Sequence, residues 1–186
     1  MPLTGNQAVD APPPPLCLVG PRGAGKSSAG ALLAAALGRA FVDLDRVLER
    51  RHRAPVAALL REGEAGFRAR ERAALAETLS LLAAGVTRAS VLATGGGAVL
   101  APESRALLRT LGRVAYLRAP AEVLGARVAR DGAAERPALL AGGPLAEAAA
   151  VLAAREPLYL EVAERVVDAT RPLEEVVAEL VAWGGS

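Results

Sequence analysis

The chain has 186 residues, of which 52% are hydrophobic and only 3% aromatic, so its core must be built mainly from Ala, Leu and Val. A single cysteine, Cys17, and a single histidine, His52, exclude an internal disulfide, a Cys/His zinc site and a Ser-His-Asp triad. A net charge of +2 and the scarcity of aromatic residues disfavour a nucleic-acid partner.

The first 15 residues differ in composition from the rest. They contain no Lys or Arg and no apolar run, and residues 12–15 are four consecutive prolines. This composition predicts a disordered N-terminal extension over residues 1–15, without the plan of a secretory signal. Residues 89–102 form an uncharged stretch of 14 residues, shorter than the roughly 20 apolar residues of a spanning helix. We therefore expect a cytoplasmic protein with no membrane partner.

Short apolar runs alternate with helix-forming segments from residue 16 onward. The predicted strands cover residues 16–19, 41–44, 91–94, 114–117 and 166–167. The predicted helices cover residues 29–37, an arginine-rich segment after Asp45, and residues 55–63, 64–84, 102–112, 120–130, 145–156 and 172–183. This alternation predicts one three-layer α/β/α domain over residues 16–186, with a parallel sheet between two layers of helices. Residues 131–144, rich in glycine and small side chains, are expected to form a mobile segment.

A phosphate-binding motif follows the first predicted strand. Residues 20–27 read GPRGAGKS, which satisfies G-x-x-x-x-G-K-[ST] between a strand and a helix. Backbone N–H groups and the helix N-terminus favour phosphate there. Lys26, the only lysine, is expected to reach the β- and γ-phosphates, and the Ser27 hydroxyl to bind Mg²⁺. The expected ATP-binding residues of this loop are Gly23, Ala24, Gly25, Lys26, Ser27 and Ser28.

Two carboxylates lie at the end of the second predicted strand. Asp43 and Asp45 are two positions apart, so the alternation of a strand would place both on one face, at the sheet edge where ligands bind. One could serve a metal ion and the other an acceptor. Alternatively, Asp45 is the N-cap of the following helix.

Three later features also have ordinary structural interpretations. Arg68 and Glu71 are three apart on a predicted helix, where they could form a solvated ion pair worth under about 1 kcal/mol. The three glycines at residues 95–97 could form a strand-exit turn or a place where the backbone approaches a ligand. Arg136 and Arg155 could be ordinary loop and helix-end residues.

Taken together, the order and spacing of these segments resemble shikimate kinases, small P-loop kinases of the nucleoside-monophosphate-kinase type, from about Leu16 to the C-terminus. After the phosphate loop, the matching segments are Asp43-Leu44-Asp45, residues 63–71 (GEAGFRARE), residues 95–99 (GGGAV), Arg136-Pro137 and residues 155–159 (REPLY). The resemblance implies a P-loop NTPase fold whose five-stranded parallel sheet has the order 2-3-1-4-5. It also implies an acceptor-binding part at about residues 46–80 and a lid at about residues 131–144.

The resemblance further implies transfer of the γ-phosphate of ATP to the 3-hydroxyl of shikimate, with Mg²⁺ as cofactor and a monomer as the working form. Lys26, Asp45 and Arg136 are the implied catalytic residues, and Asp43 joins Ser27 at the metal. The implied shikimate-binding residues are Asp45, Arg68, Gly95, Gly96, Gly97 and Arg155. Arg136 would close onto the γ-phosphate with the lid, and Arg130 and Arg171 would flank the adenine. The sequence departs from the family pattern after Arg136-Pro137, where Ala138 precedes the apolar pair.

Two other functions stay open on the residues alone. A related small kinase would phosphorylate another hydroxy acid, such as gluconate, because a phosphate loop does not specify the acceptor. Against this, Arg68 and Arg155 suit a planar carboxylate on the acceptor. A regulatory nucleotide-binding domain without catalysis would be expected to have lost Lys26, Asp45 or Arg136, and all three are present.

Overall fold

The computed structural model describes residues 13–85, 90–130 and 143–185. Five short runs form one parallel sheet: β1 (Leu16–Val19), β2 (Ala40–Asp43), β3 (Ser90–Ala93), β4 (Arg113–Arg118) and β5 (Arg165–Asp168). The strand order β2-β3-β1-β4-β5 confirms the expected order 2-3-1-4-5. β1 and β3 are buried along their whole length, as expected for inner strands of a sheet that is covered on both faces.

Within the described residues, eight helices connect and cover these strands. They are α1 (Lys26–Leu37), α2 (Leu44–His52), α3 (Val56–Arg61), α4 (Glu64–Ala83), α5 (Pro102–Leu111), α6 (Ala121–Arg130), α7 (Gly143–Val162) and α8 (Leu173–Gly184). Buried side chains form two clusters, one including Leu75 and Tyr159, the other including Leu33 and Leu180. Two clusters separated by one sheet confirm the three-layer α/β/α fold. Across the described residues, no helix is both long and apolar enough to cross a bilayer.

Helix α7 is longer at both ends than the sequence predicts. The predicted end near Glu156 is wrong, because the helix continues through Pro157 to Val162. A proline inside a helix costs about 3 kcal/mol, and burial of Tyr159 and Val162 beyond it offsets this cost. The helix also begins at Gly143, so residues 143 and 144 of the predicted lid are helical. Residues 131–142 of that lid lie outside the described residues.

The residues just before β1 are hydrogen-bonded to the neighbouring strand β4. Pro15 is buried, and its carbonyl accepts a hydrogen bond from the N–H of Arg113 at 2.9 Å. Cys17 is fully buried in β1, and this burial raises the pKa of its thiol to about 12. Gly112 packs against that thiol, since a Cβ added at Gly112 would lie 2.7 Å from Cys17 Sγ. Residues 1–12, most of the predicted extension, lie outside the described residues.

Candidate active site

The phosphate loop joins β1 to α1 through residues 20–25. Gly23 and Gly25 have φ values of +81° and +86°, in the left-handed region that glycine adopts most easily. Gly23 also packs against α6, because an added Cβ would come within 2.9 Å of the Leu124 carbonyl oxygen. The loop therefore requires glycine at this position for both its backbone conformation and its packing.

Lys26, the first residue of α1, lies over this loop. Its side chain is 9% exposed, and its Nζ donates hydrogen bonds of 2.8 Å to the carbonyl oxygens of Gly20 and Pro21. The only ammonium side chain of the protein is thus held at the loop by the loop's own backbone. An ammonium at this place is well positioned to neutralise phosphate oxygens.

A cleft of about 580 Å³ opens above the loop. All of the expected ATP-binding residues that the structure describes line it: Gly23, Ala24, Gly25, Lys26, Ser27, Ser28, Arg130 and Arg171. Arg171 forms an ion pair with Glu179 and donates to the Asp168 carbonyl oxygen at 3.3 Å. Arg136, expected at the γ-phosphate, lies outside the described residues. The cleft is rich in backbone donors and cations, which is the chemistry that a polyphosphate requires.

Asp43 and Asp45 reach the site by a different local structure from the one predicted. β2 ends at Asp43, and Asp45 lies in the first turn of α2, so strand alternation is the wrong reason for their proximity. Asp43, rather than Asp45, is the N-cap: its Oδ1 accepts from the backbone N–H groups of Asp45 and Arg46 at 3.0 and 3.3 Å. Both carboxylates still line the groove beside Ser27.

Oxygen atoms suited to a metal ion meet beside the phosphate loop. Ser27 Oγ donates to Asp43 Oδ2 at 2.6 Å, which brings a hydroxyl and a carboxylate together. Mg²⁺ usually takes one or two protein oxygens and completes its shell with water and substrate phosphate, and this pair fits that habit. Among the described residues, no group of three or more His, Cys, Asp or Glu side chains could hold a metal ion. A Mg²⁺ ion here would therefore depend on phosphate oxygens.

A small pocket of about 60 Å³ adjoins the cleft, and Arg68 and Glu71 form one wall. Arg68 Nη1 donates to Glu71 Oε2 at 2.8 Å, and the Glu71 side chain is only 3% exposed. The interpretation of Arg68 and Glu71 as a solvated ion pair is therefore wrong, because the pair is largely buried. Burial makes this contact more important than a solvated pair, because removing Arg68 would leave the buried Glu71 carboxylate without this hydrogen bond.

The three glycines after β3 pass directly over this ion pair. A Cβ added at Gly95 would collide with Glu71 Oε1, and one added at Gly97 would collide with the Arg68 guanidinium. The backbone thus approaches a buried charged pair closely, and a side chain at Gly95 or Gly97 would displace Glu71 or Arg68. Gly96, between them, lines both the small pocket and the cleft above the phosphate loop.

Arg155 lies in the middle of α7 rather than at a helix end. Its Nη1 donates to the Gly96 carbonyl oxygen at 3.2 Å, and its side chain lines the small pocket opposite Arg68. Two guanidinium groups from separate helices thus meet in one pocket beside the phosphate loop.

Three functional positions were missed from the sequence. Arg22, at a variable position of the phosphate-loop motif, lines both the cleft and the small pocket. Arg127 lies one turn before Arg130 and donates to the Gly23 and Ala169 carbonyl oxygens at 3.3 and 2.8 Å. Tyr159, at the end of the matched segment 155–159, donates to the Gly96 carbonyl oxygen at 2.6 Å. Two of these positions could have been found from the sequence: Arg127 is three residues before Arg130 on one helix, and Tyr159 ends the matched segment 155–159.

The buried pair leads to a prediction about stability. Arg68→Ala is expected to lower the free energy of unfolding by about 1.5–3 kcal/mol, because the buried Glu71 carboxylate would lose the charge-assisted hydrogen bond from Arg68. Arg72→Ala, an exposed arginine on the same helix, is the matched control and should change it by less than about 0.5 kcal/mol. Urea denaturation measures both. Equal effects of the two substitutions would contradict the assigned importance of the pair.

Comparison with known proteins identifies the family of this site. The family model described as "Shikimate kinase" matches residues 22–183. The chain belongs to the shikimate kinase family. A shikimate kinase 2 of Yersinia enterocolitica is 46% identical over 166 residues, covering 88% of this chain and 91% of that protein. The shikimate kinase of Bordetella pertussis is 47% identical over 169 residues, covering 90% and 76%.

Solved structures support the same family. The shikimate kinase of Acinetobacter baumannii, solved in complex with shikimate, has a TM-score of 0.83 and 37% identity, covering 91% of this chain and 92% of that one. A gluconokinase of Sinorhizobium meliloti has a TM-score of 0.54 and 21% identity, which shows a shared fold alone. Membership of the shikimate kinase family confirms the resemblance of the sequence motifs and makes the protein an ATP-dependent kinase.

Proposed function

We propose that this chain transfers the γ-phosphate of ATP to the 3-hydroxyl of shikimate, giving shikimate 3-phosphate and ADP, with Mg²⁺ as cofactor. The observation that carries the proposal is the meeting of Arg68 and Arg155 in a pocket that shares Gly96 with the phosphate-loop cleft. A carboxylate-bearing acceptor held there lies next to the triphosphate of ATP. We also propose a cytoplasmic monomer without a membrane partner, and the low net charge and few aromatic residues support the absence of a nucleic-acid partner.

Lys26, Ser27 and Asp43 are the proposed phosphate and metal ligands. Phosphoryl transfer passes through a loose transition state, so the protein mainly aligns the reactants and neutralises charge. Mg²⁺, when bound, supplies part of that neutralisation at the β- and γ-phosphates. Ser27 and Asp43, already 2.6 Å apart, would hold it, with Asp43 acting through water. Lys26 needs only to exchange two backbone carbonyls for phosphate oxygens.

Asp45 is the proposed partner of the acceptor hydroxyl. Its carboxylate lines the cleft, and its position in the first turn of α2 is fixed by the Asp43 cap. A carboxylate there orients the hydroxyl towards the γ-phosphate and accepts its proton as the bond to phosphorus forms.

The carboxylate of shikimate is proposed to bind Arg68 and Arg155, with the backbone of Gly95, Gly96 and Gly97 beside the ring. The two terminal nitrogens of Arg68 donate hydrogen bonds to Glu71 and Glu64. Its Nε is buried and has no hydrogen-bond partner among the described residues. Two guanidinium groups that line one pocket, Arg68 and Arg155, support an acidic ligand. Guanidinium groups suit a planar carboxylate, because they present donors in a fixed fork.

Two further parts of the proposal concern the rest of the chain. Arg136 is proposed to add positive charge at the γ-phosphate when a lid at residues 131–142, ahead of α7, closes over ATP, the kind of closure that excludes water in other kinases. Arg130 and Arg171, which line the cleft, are proposed to flank the adenine. Residues 2–12 are proposed to be dispensable for catalysis, because they contain little apolar surface to bury, whereas Pro15 is buried and hydrogen-bonded to Arg113.

A coupled assay of ADP release tests the function directly. Shikimate and gluconate are compared side by side at saturating ATP and Mg²⁺. Rapid turnover of shikimate and none of gluconate is expected. Turnover of gluconate but not of shikimate would show that shikimate is not the acceptor.

Recognition of the carboxylate has its own expected result. Arg155→Ala should raise KM for shikimate by at least about tenfold, the factor that 1.4 kcal/mol represents, with KM for ATP changed less. Arg68→Lys, which keeps a cation beside Glu71 but removes the planar fork, should raise the same KM. The methyl ester of shikimate, which keeps the 3-hydroxyl, should be a poor substrate for the unmodified enzyme. Equal kcat/KM for acid and ester would show that neither arginine binds a carboxylate.

A further inference from the structure

Tyr159 is a buried polar residue that the proposed reaction does not use. It lies on α7 one turn after Arg155 and has 0% exposure. Its ring stacks on that of Tyr116 from β4, with centroids 5.1 Å apart and an angle of 25° between the planes. Burial raises the pKa of Tyr159 to about 12, although the nearby Arg155 cation opposes the shift. The hydroxyl therefore keeps its proton at neutral pH and acts as a donor.

The Tyr159 hydroxyl donates a hydrogen bond of 2.6 Å to the carbonyl oxygen of Gly96. Arg155 Nη1 donates to the same oxygen at 3.2 Å. On the other side of Gly96 lies the phosphate loop, since a Cβ added at Gly96 would be 3.4 Å from the backbone nitrogen of Arg22. Gly96 thus lies between α7 and the phosphate loop, at the place where the acceptor pocket meets the cleft.

A segment of three glycines has no side chains with which to fix its own conformation, and glycine has the widest choice of backbone angles. Its position depends instead on contacts of its backbone. The Gly95 and Gly97 carbonyl oxygens accept from the N–H groups of Ala98 and Leu100 at 3.1 and 3.0 Å, within the turn that follows β3. Within the described residues, the Gly96 carbonyl accepts from two side chains, and both belong to α7. Because the peptide unit is planar and trans, fixing this carbonyl also fixes the direction of the Gly97 N–H on its opposite side.

We propose that Tyr159 is a positioning residue for the acceptor. By holding the Gly96 carbonyl, its hydroxyl fixes the Gly96–Gly97 peptide unit and the Arg155 guanidinium that shares this oxygen. This inference rests on the proposed function, because it assumes that shikimate binds in the pocket lined by Arg155 and Gly96. Tyr159 does not touch the reacting atoms, so its effect appears in the binding and alignment of the acceptor.

If Tyr159 had only a structural role, its ring would supply it by packing against Tyr116 in the core. Tyr159→Phe keeps that ring and removes only the hydroxyl. Tyr116→Phe is the matched control, because it removes a hydroxyl that is equally buried, from the other ring of the same stack, without touching Gly96. The two variants therefore separate the contact with Gly96 from packing of the aromatic pair.

The experiment measures steady-state kinetics and thermal unfolding for the full chain and both variants. Tyr159→Phe is expected to lower kcat/KM for shikimate about three- to tenfold, the range expected for one lost neutral hydrogen bond, mainly through KM for shikimate. KM for ATP should change less than about twofold, because the lost hydrogen bond is proposed to act on the acceptor pocket. Tyr116→Phe should keep the kcat/KM of the unmodified chain. Arg155→Lys should cost less in the Tyr159→Phe background than alone, since the two residues share one oxygen.

Several outcomes would overturn the inference. Unchanged kinetics in Tyr159→Phe, equal losses in both tyrosine variants, or failure of Tyr159→Phe alone to fold would assign Tyr159 to the core. Additive effects of Tyr159→Phe and Arg155→Lys would show that Tyr159 does not act through Arg155. An unmodified chain that does not phosphorylate shikimate would overturn the proposed function together with this inference, whereas an active chain isolates the role of Tyr159.

Discussion

Lys26→Met is expected to lower kcat by at least about 10²–10³, the usual effect of removing one group that stabilises transition-state charge. Lys26 is the only lysine of the chain, and its Nζ already lies at the phosphate loop, 2.8 Å from two carbonyl oxygens. Methionine matches the length and apolar stem of lysine but brings no charge. No other ammonium side chain exists to replace it.

The controls separate loss of catalysis from loss of structure. Circular dichroism and thermal unfolding should show a folded Lys26→Met protein, and calorimetry should show that shikimate still binds. Lys26→Arg tests whether any cation suffices; a planar guanidinium differs from a compact ammonium, so most activity should also be lost. Turnover of Lys26→Met equal to that of the unmodified enzyme would contradict the proposed role of the phosphate loop.

Asp45→Asn has the second largest expected effect, a fall in kcat of about 10²–10⁴, as is usual when a general base is removed. Asparagine preserves the size of the side chain but cannot accept the proton of the acceptor hydroxyl. Because Asp45 belongs to α2 and is the proposed partner of the acceptor hydroxyl rather than of the phosphates, KM for ATP should change little. Steady-state kinetics at saturating Mg²⁺ measure both quantities.

Asp43→Asn provides the matched comparison. Asparagine is as good an N-cap as aspartate, so α2 and the melting temperature should be preserved, while the contact with the metal weakens. The expected result is a shifted Mg²⁺ dependence of activity. Asp43→Ala removes the cap as well and should cost about 1 kcal/mol of stability. Indistinguishable Mg²⁺ titrations of Asp43→Asn and Asp45→Asn would contradict the proposed division of roles.

The phosphate loop, the alternation of strands and helices, and the family could all be predicted from the sequence because each depends on local spacing. The same applies to Ser27, whose place in the motif fixes its place at the start of α1. The reason given for Asp43 and Asp45 was wrong, because the strand ended two residues earlier than alternation required. The residue at which a strand ends and a helix begins depends on which side chain caps the helix. The sequence alone does not show whether Asp43 or Asp45 is that cap.

Contacts between distant segments could not be predicted. The hydrogen bond from Tyr159 to Gly96 spans 63 residues, and the bond from Arg127 to Gly23 spans 104. Burial of Glu71 likewise depends on how α4 packs against the segment after β3. The sequence shows an ion pair at helical spacing but carries no signal of the glycine backbone that covers it.

Burial of Cys17 has a practical consequence for observing this enzyme in solution. A thiol that is fully enclosed, with a pKa raised to about 12, forms little thiolate at neutral pH and is out of reach of maleimides. A cysteine introduced at Leu145, which is 51% exposed near the start of α7, should therefore take up a single fluorophore without replacement of the native cysteine. With Trp183 as the only tryptophan, energy transfer between the two would follow ligand-induced changes in an otherwise natural chain.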